Sequence, residues 1–333
     1  IELYPDDPYV YNSLGDVESA QDNLLAAEQA YSHALEINPE LTQVESKVSA
    51  LIFNQAVPLW SQGNVNAALE KFQTINLVGS QEAIQLLWPS LDGIEWPRRS
   101  FNLAGIWETM KPEDMPWPKI TVVTPSFNHQ EYIEDTIRSV IYQEYPNLEY
   151  VIVDGDSTDG TQEILEQYRD QVSEIIIEPD RGQSHAINKG FNRTNGELIT
   201  WINSDDMLAP GALHMAALTY LNHNCDVVCG IAITHEESDN SEESRKIRVK
   251  KPKVRQDDFT VETLADCCHY WFKGHFFIQP ETIFTRQAWN QAGGMLDEGL
   301  EYTMDCDFWF RMAQIGAQLE VISWPIAFYR NHP

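Results

Sequence analysis

The densest chemistry in this 333-residue chain sits at Asn203-Ser204-Asp205-Asp206. Leu198, Ile199, Trp201 and Ile202 precede it as a short, mostly apolar run, the pattern of a strand covered on both faces. In an open α/β sheet the carboxyl end of such a strand is where ligands bind. Asp205 and Asp206 repel each other there unless a positive charge separates them, and a divalent cation is the usual one. A polar turn without a ligand is the alternative that the local sequence leaves open.

Other polar clusters have the same relation to an apolar run. Asp154 directly ends the run Leu148–Val153, where a carboxylate can accept hydrogen bonds from a base or sugar. The run Asp156-Ser-Thr-Asp159 follows; for Asp159, capping of the next helix is the better reading. Asp180-Arg181 comes after a third run, and the Arg181 guanidinium suits bidentate contact with phosphates. Asp305 and Asp307 open an amphipathic stretch. Acids in a first helical turn are favoured by the dipole, so a capping role competes with chemistry there. Asp307 and Arg311 are spaced to pair at i, i+4.

These clusters need a scaffold, and the sequence from Lys119 onward supplies one. Strands are predicted at Ile120–Thr124, Leu148–Val153, Glu174–Ile177 and Leu198–Ile202, with Pro125-Ser126-Phe127-Asn128 as a loop after the first. Helices alternate with them at Tyr132–Tyr142, Thr161–Tyr168 and Ser184–Phe191. Such alternation implies βαβ units and a mainly parallel sheet. Asp226–Ile233 continues the sheet, and Gln279–Gly294 reads as a strand and a short helix.

The loops Thr124-Pro-Ser-Phe-Asn128, Val153-Asp-Gly-Asp-Ser-Thr-Asp-Gly-Thr161, Asp180-Arg-Gly-Gln183 and Asn203-Ser-Asp-Asp206 resemble, in order and spacing, the signature loops of family 2 glycosyltransferases over about residues 119–332. The resemblance implies a GT-A fold: a Rossmann-like mixed sheet, with a nucleotide-binding half at 119–206 and an acceptor half at 207–333. It implies inverting transfer of a sugar from a nucleoside diphosphate, UDP foremost, to a hydroxyl of a glycan, lipid or protein, as in polysaccharide biosynthesis. Pro125, Ser126, Asn128, Asp154, Asp156, Asp180, Arg181, Asn203 and Asp205 then bind the donor. Asp205 and Asp206 hold Mn²⁺ or Mg²⁺, and His332 falls where several members place a further ligand. The family's DxD triplet reads Asn203-Ser-Asp205 here, so the ribose contact departs from the pattern more than the metal contact does. Asp305 matches the general base of the family's ED-type motif, with Met304 in place of the usual Glu. Glu281, Trp289 and Asp307 border the acceptor, although Trp289 also reads as a core residue.

Residues 1–78 form a different region. Tyr11, Leu14-Gly15, Ala27, Tyr31, Ala34 and Pro39 lie in the register of a tetratricopeptide repeat, with a break near Gln21–Asn23. Ala56, Leu59-Trp60, Gly63, Ala67-Ala68, Phe72 and Ile75 form a degenerate second copy. The resemblance implies an all-α TPR-like unit preceding the transferase domain, serving as a helical prop or as a groove for a protein partner. Residues 79–118 carry four tryptophans and five prolines, which predicts an ordered, irregular strap.

The bulk numbers exclude several classes. A net charge of −29 argues against nucleic-acid binding and against docking on anionic membranes. There is no 18-residue apolar run. Five cysteines without CxxC spacing fit a reducing, cytoplasmic compartment. The ends, Ile1 and Asn-His-Pro333, read as those of an excised piece, so membrane association would come from parts outside this chain. Acids from Glu236 to Glu243 are followed by seven cations from Arg245 to Arg255. A solvated hairpin is one reading; a contact for an anionic acceptor or a lid over pyrophosphate is the other. A transferase-like binding protein without activity is a further alternative, against which Asp154, Asp205 and Asp305 together speak. A dinucleotide-dependent oxidoreductase lacks its G-x-G-x-x-G after the first strand.

Overall fold

The computed structural model describes residues 7–21, 23–38, 41, 44, 47–48, 51, 111–112, 114–209, 211–236, 246–250, 252, 254–266, 276–277, 279–300 and 302–331. The chain divides into two compact units, Ile1–Glu95 and Trp96–Pro333.

In the first unit, α1 (Pro8–Ala20) and α2 (Leu24–Ile37) meet at the expected break. Asp7 caps α1 by accepting the Tyr9 amide at 2.9 Å, and Pro8 occupies the first turn, where its missing N–H costs nothing. Gly15 lies under the Tyr31 ring; a Cβ there would meet Tyr31 Cε1 at 2.3 Å. Ala27 and Ala34 are fully buried beside it. The small-residue pattern thus makes a close helical hairpin. The second copy, residues 56–75, lies outside the described residues.

In the second unit the order is β1 (Ile120–Ser126), α3 (Ile133–Ile141), β2 (Leu148–Asp154), α4 (Thr161–Gln167), β3 (Glu174–Ile177), α5 (Gln183–Asn192), β4 (Leu198–Trp201), β5 (Met207–Leu208), α6 (Ala212–His223), β6 (Val227–Glu236), β7 (Lys246–Lys250), α7 (Val261–Ala265), β8 (Thr282–Thr285), α8 (Arg286–Gln291), α9 (Met304–Gln314) and β9 (Leu319–Asn331). The sheet runs β3-β2-β1-β4-β8-β6-β9-β5, with β7 paired to β6. Its first four strands are parallel, as the βαβ alternation requires. The rest is mixed: β8 is antiparallel to β4 and β6, β9 is parallel to β6, and β5 is antiparallel to β9. The mainly parallel expectation therefore holds for one half only.

The helices pack where their apolar faces dictate. Ile133, Ile137 and Val140 of α3 are fully buried. α5 presses on β1 at Gly190, where a Cβ would come within 2.6 Å of Val123 Cγ1. An aromatic core joins the two halves, with Trp201, Phe284, Trp289 and Phe308 in mutual ring contact. Of the expected strap, the described end docks on this unit. Trp117 lies edge-on to Tyr145 and His214, and its carbonyl accepts from Asn147 Nδ2 at 3.1 Å. Trp88, Trp96 and Trp107 lie outside the described residues, as do Cys267 and Cys268. Cys225, Cys229 and Cys306 are free thiols. Among the described residues no helix is long and apolar enough to cross a membrane.

Candidate active site

Because β1 to β4 are parallel, their carboxyl ends lie on one sheet edge, and the predicted clusters gather there. β1 runs two residues further than its apolar pattern suggests. Pro125 and Ser126, expected in a loop, are strand residues registered opposite Val153 and Asp154. Ser126 is 4% exposed, and among the described residues its hydroxyl has no hydrogen-bond partner. A buried hydroxyl at a strand end is costly unless a water or ligand completes it.

The loop after β2 is tightly built. Asp154 is fully buried, and its two oxygens accept the Ser157 amide at 2.8 Å and the Ser157 hydroxyl at 2.7 Å. Ser157 Oγ in turn accepts the Asn128 amide at 2.8 Å, and Asn128 Oδ1 accepts the Thr158 amide at 2.9 Å. Asp154 therefore organises the two loops, where a direct ligand contact was expected. Asn128 and Asp156 both take the left-handed backbone region, at φ 53° and 69°. Asp156 Oδ1 accepts Gln162 Nε2 at 3.2 Å. Gly160 is the N-cap of α4, without a side-chain cap; Asp159, expected to cap, precedes it, accepting the Thr161 amide at 3.0 Å and holding the Gln130 amide at 3.0 Å. Asp180 closes over Gly155, where a Cβ would stand 2.9 Å from Asp180 Oδ2 and 3.1 Å from the Phe127 ring. Phe127, 58% exposed, thus offers an aromatic face beside these loops. Its signal was legible as a large apolar residue within a polar loop. Arg181 is ion-paired to Glu298 through one nitrogen, and its side chain is still 68% exposed.

An open cleft of about 410 Å³ runs along Asn128–Tyr132 and Asp159. It lies beside the acids, and His129 connects the two by sharing a 2.6 Å hydrogen bond with Ser204 Oγ. The acids have the stronger chemical claim, because burial and charge act on them together.

Asn203 Oδ1 accepts Gln183 Nε2 at 2.5 Å, and Asn203 Nδ2 donates to Asp206 Oδ2 at 3.3 Å. Asp206 is 1% exposed, and its Oδ1 accepts the Arg330 amide at 3.0 Å. Burial first, and then the neighbouring Asp205 charge, push the Asp206 carboxyl well above its ordinary pKa. Thr136 Oγ1 pins the turn by donating to the carbonyls of Ser204 and Asp206, at 2.9 and 2.6 Å. Asp305 sits in the first turn of α9, its Oδ1 accepting the Cys306 amide at 2.8 Å. Burial raises its pKa as well, against hydrogen bonds from Cys306. Burial, and after it the charges of Asp206, Asp205 and Asp305, raise that of the Tyr329 phenol. The charges of the acid turn and of α9 thus both reach Tyr329, although Asp206 and Asp305 are far apart in sequence.

Arg330 is the other residue that sequence reasoning missed. Its guanidinium, 11% exposed, pairs with Asp135 at 3.2 Å and lies 4.8 Å from the Tyr132 ring centroid. No local pattern announces a bond between positions 135 and 330. His332 lies outside the described residues. Glu281 is fully buried just before β8, whose start adjoins the carboxyl end of β4. Trp289 takes its core reading: it is 2% exposed and packs 5.0 Å from Phe191, so it presents no surface to an acceptor. Asp307 makes the predicted pair with Arg311 at 2.9 Å.

The donor set of Asp205 and Asp206 is all oxygen, which fits a hard cation such as Mn²⁺ or Mg²⁺. Among the described residues no three His, Cys, Asp or Glu side chains form a closed cage. A nucleotide-bound cation needs none, since it takes one or two carboxylates and completes its shell with phosphate oxygens and water.

A parallel half continued by a mixed half, with acids at the shared edge, matches the GT-A glycosyltransferase architecture. The chain superposes on the crystal structure of S. aureus TarS with a TM-score of 0.50 at 22% identity, covering 65% of this chain and 37% of that one. Within this fold, residues 121–278 match the family model described as Glycosyl transferase family 2. The relatives agree. Bacillus subtilis TuaG, provisionally named a teichuronic acid biosynthesis glycosyltransferase, is 41% identical over 92 residues, covering 27% of this chain and 36% of that protein. An uncharacterized glycosyltransferase of Rickettsia typhi is 26% identical over 204 residues, 60% of each chain. A Campylobacter jejuni β-1,3-glucosyltransferase named for GalNAc(5)-diNAcBac-PP-undecaprenol is 27% identical over 180 residues, covering 52% of this chain and 55% of that protein. The chain thus spans between about a third and three-fifths of the length of these relatives.

Proposed function

We propose that this chain transfers a sugar from a nucleoside-diphosphate donor to an acceptor hydroxyl, with inversion and with Mn²⁺ or Mg²⁺ on the donor diphosphate. The observation that carries the reading is the buried acid turn after β4: Asp206 is 1% exposed beside Asp205, at the edge where the parallel strands β1 to β4 end, and the charges of both, with that of Asp305, reach the Tyr329 phenol. UDP is the preferred nucleotide. The Asp154–Ser157–Asn128 network holds the base loop, Phe127 offers its ring to the base, and the Ser126 hydroxyl gains the partner it lacks among the described residues. Asn203 contacts the ribose. When bound, the cation neutralises the diphosphate and improves it as a leaving group.

Asp305 is the general base. Its raised pKa suits it to take a proton from the acceptor hydroxyl as that oxygen attacks the anomeric carbon, opposite the departing phosphate. Burial of α9's aromatic face through Phe308 and Trp309 fixes the helix that carries it. Arg181, paired with Glu298 through one nitrogen, offers its remaining N–H groups to the donor phosphates. Asp156 and Asp180 shape the nucleotide loops, and Glu281 and Asp307 border the acceptor. The TPR-like helices supply a partner-binding surface.

The test is a panel of nucleoside-diphosphate sugars, scored by released nucleoside diphosphate with Mn²⁺ and with chelator. Turnover of one donor, abolished by chelator, supports the reading. Tight donor binding without turnover under any acceptor or metal would favour an inactive binding protein.

A further inference from the structure

Seven of the chain's 22 lysines and arginines lie between Arg245 and Arg255, a stretch without a single acid, in a protein of net charge −29. Part of that stretch is β7, which pairs antiparallel with β6. Lys246, Arg248 and Lys250 occupy alternate positions of the strand, and alternate positions share one sheet face. The register continues across the sheet. Arg248 is opposite Thr234, and Thr234 is opposite Tyr329. The irregular pairing of β6 with β9 ends at Ala232, so this row is regular. Residues in register across a sheet share a face, so positions 246, 248 and 250 belong to the face of Tyr329, the neighbour of Arg330, whose amide binds Asp206 at 3.0 Å. Two strand spacings, about 10 Å, separate position 248 from Tyr329.

We infer that β7 is the acceptor-binding edge of this active site and that the acceptor is a polyanionic chain, a glycan or polyol with regularly spaced phosphate or carboxylate groups. The inference rests on the transferase reading of the site. A neutral acceptor has no need of a cationic strand beside Asp205, Asp206 and Asp305. A polyanion approaching that acidic edge is repelled unless positive charge meets it locally. Cations about 7 Å apart along an extended strand suit charges repeated along an extended chain. Electrostatic guidance would also direct the chain end past Tyr329 toward Asp305. The competing explanation is that the lysines only protect an edge strand from pairing with another chain.

The experiment compares wild type, K246Q/R248Q/K250Q and the charge-retaining K246R/R248K/K250R. Binding is measured with three fluorescent probes: a glycerol-phosphate oligomer, a galacturonate oligomer and a neutral dextran oligomer. Donor hydrolysis without acceptor is measured in parallel. Wild type is expected to bind one anionic probe with affinity that falls steeply with salt, and not to bind dextran. The glutamine variant loses about tenfold or more of that affinity while donor hydrolysis holds, and the charge-retaining variant restores it. The phosphate and carboxylate probes tell the two anion sources apart. Dextran binding as tight as either anion, or anion binding unchanged in the glutamine variant, overturns the inference. If the glutamine variant fails to fold, salt-independent binding of the anionic probes by wild type overturns it equally. Failure of donor hydrolysis in wild type with every nucleotide sugar would strike the transferase reading itself, which probe binding does not test.

Discussion

The Arg330 amide donates to Asp206 Oδ1 at 3.0 Å, joining the end of the last strand to the acid turn that follows β4. The Arg330 side chain extends the tie through Asp135 and Tyr132 to α3. A backbone donor serves Asp206 whatever the side chain at 330, so the turn and the clamp can be separated by mutation.

Arg330→Ala should leave the amide bond and remove the clamp. Asp135 is 39% exposed, so solvent weakens the pair, and packing of the guanidinium on Tyr132 carries much of the effect. The expected loss is about 1–2 kcal/mol, with partial recovery in Arg330→Lys. Denaturant melts of the three proteins measure it; an unchanged midpoint in Arg330→Ala would show that the clamp contributes nothing.

Asp206 predicts an unusual pH dependence. Its pKa is raised in the folded protein, so the folded state binds the proton more tightly than the unfolded chain does. The associated stability is full below the ordinary carboxylate pKa and is lost as pH rises through the folded value. Metal-free protein should therefore weaken on that limb, Mn²⁺ should restore stability at neutral pH, and Asp206→Asn should flatten both responses. Melting curves between mildly acidic and neutral pH, with and without Mn²⁺, supply the check.

His214 acts in the opposite direction. Burial lowers its pKa from 6.5 to about 4, so the unfolded chain takes up a proton that the folded protein refuses. Stability present above about pH 6.5 is lost as pH falls toward about 4, by up to about 3 kcal/mol. His214→Phe should remove that slope in urea titrations across this window. An equally steep slope in the variant would mean that other groups produce it.

Much of this was legible in the sequence because it is local. β3 was predicted to the residue, and α3, α4, α5 and β4 to within a residue or so at each end, since apolar periodicity and flanking polar loops define them. β1 ran past its prediction because Pro125 and Ser126 read as loop residues, yet pairing with β2 keeps them in the sheet. The mixed half was less legible, because the insertion of β8 between β4 and β6 is settled by long-range pairing. Of the candidate site, the acids and their sheet edge were readable. Asp154's engagement with Ser157, Arg181's with Glu298 and the Arg330 amide's bond to Asp206 were not, because each depends on which segments fold against one another.

We propose that Asp305 takes the acceptor proton at a site that binds the donor independently of it. The most direct measurement pairs calorimetric titration of the preferred nucleotide sugar, with Mn²⁺ present, with turnover in wild type and Asp305→Asn. The account predicts donor affinity within about twofold of wild type and a turnover lower by about 10²–10⁴-fold, with wild-type activity falling as pH drops through a base pKa above the ordinary carboxylate range. Full turnover in Asp305→Asn would contradict it.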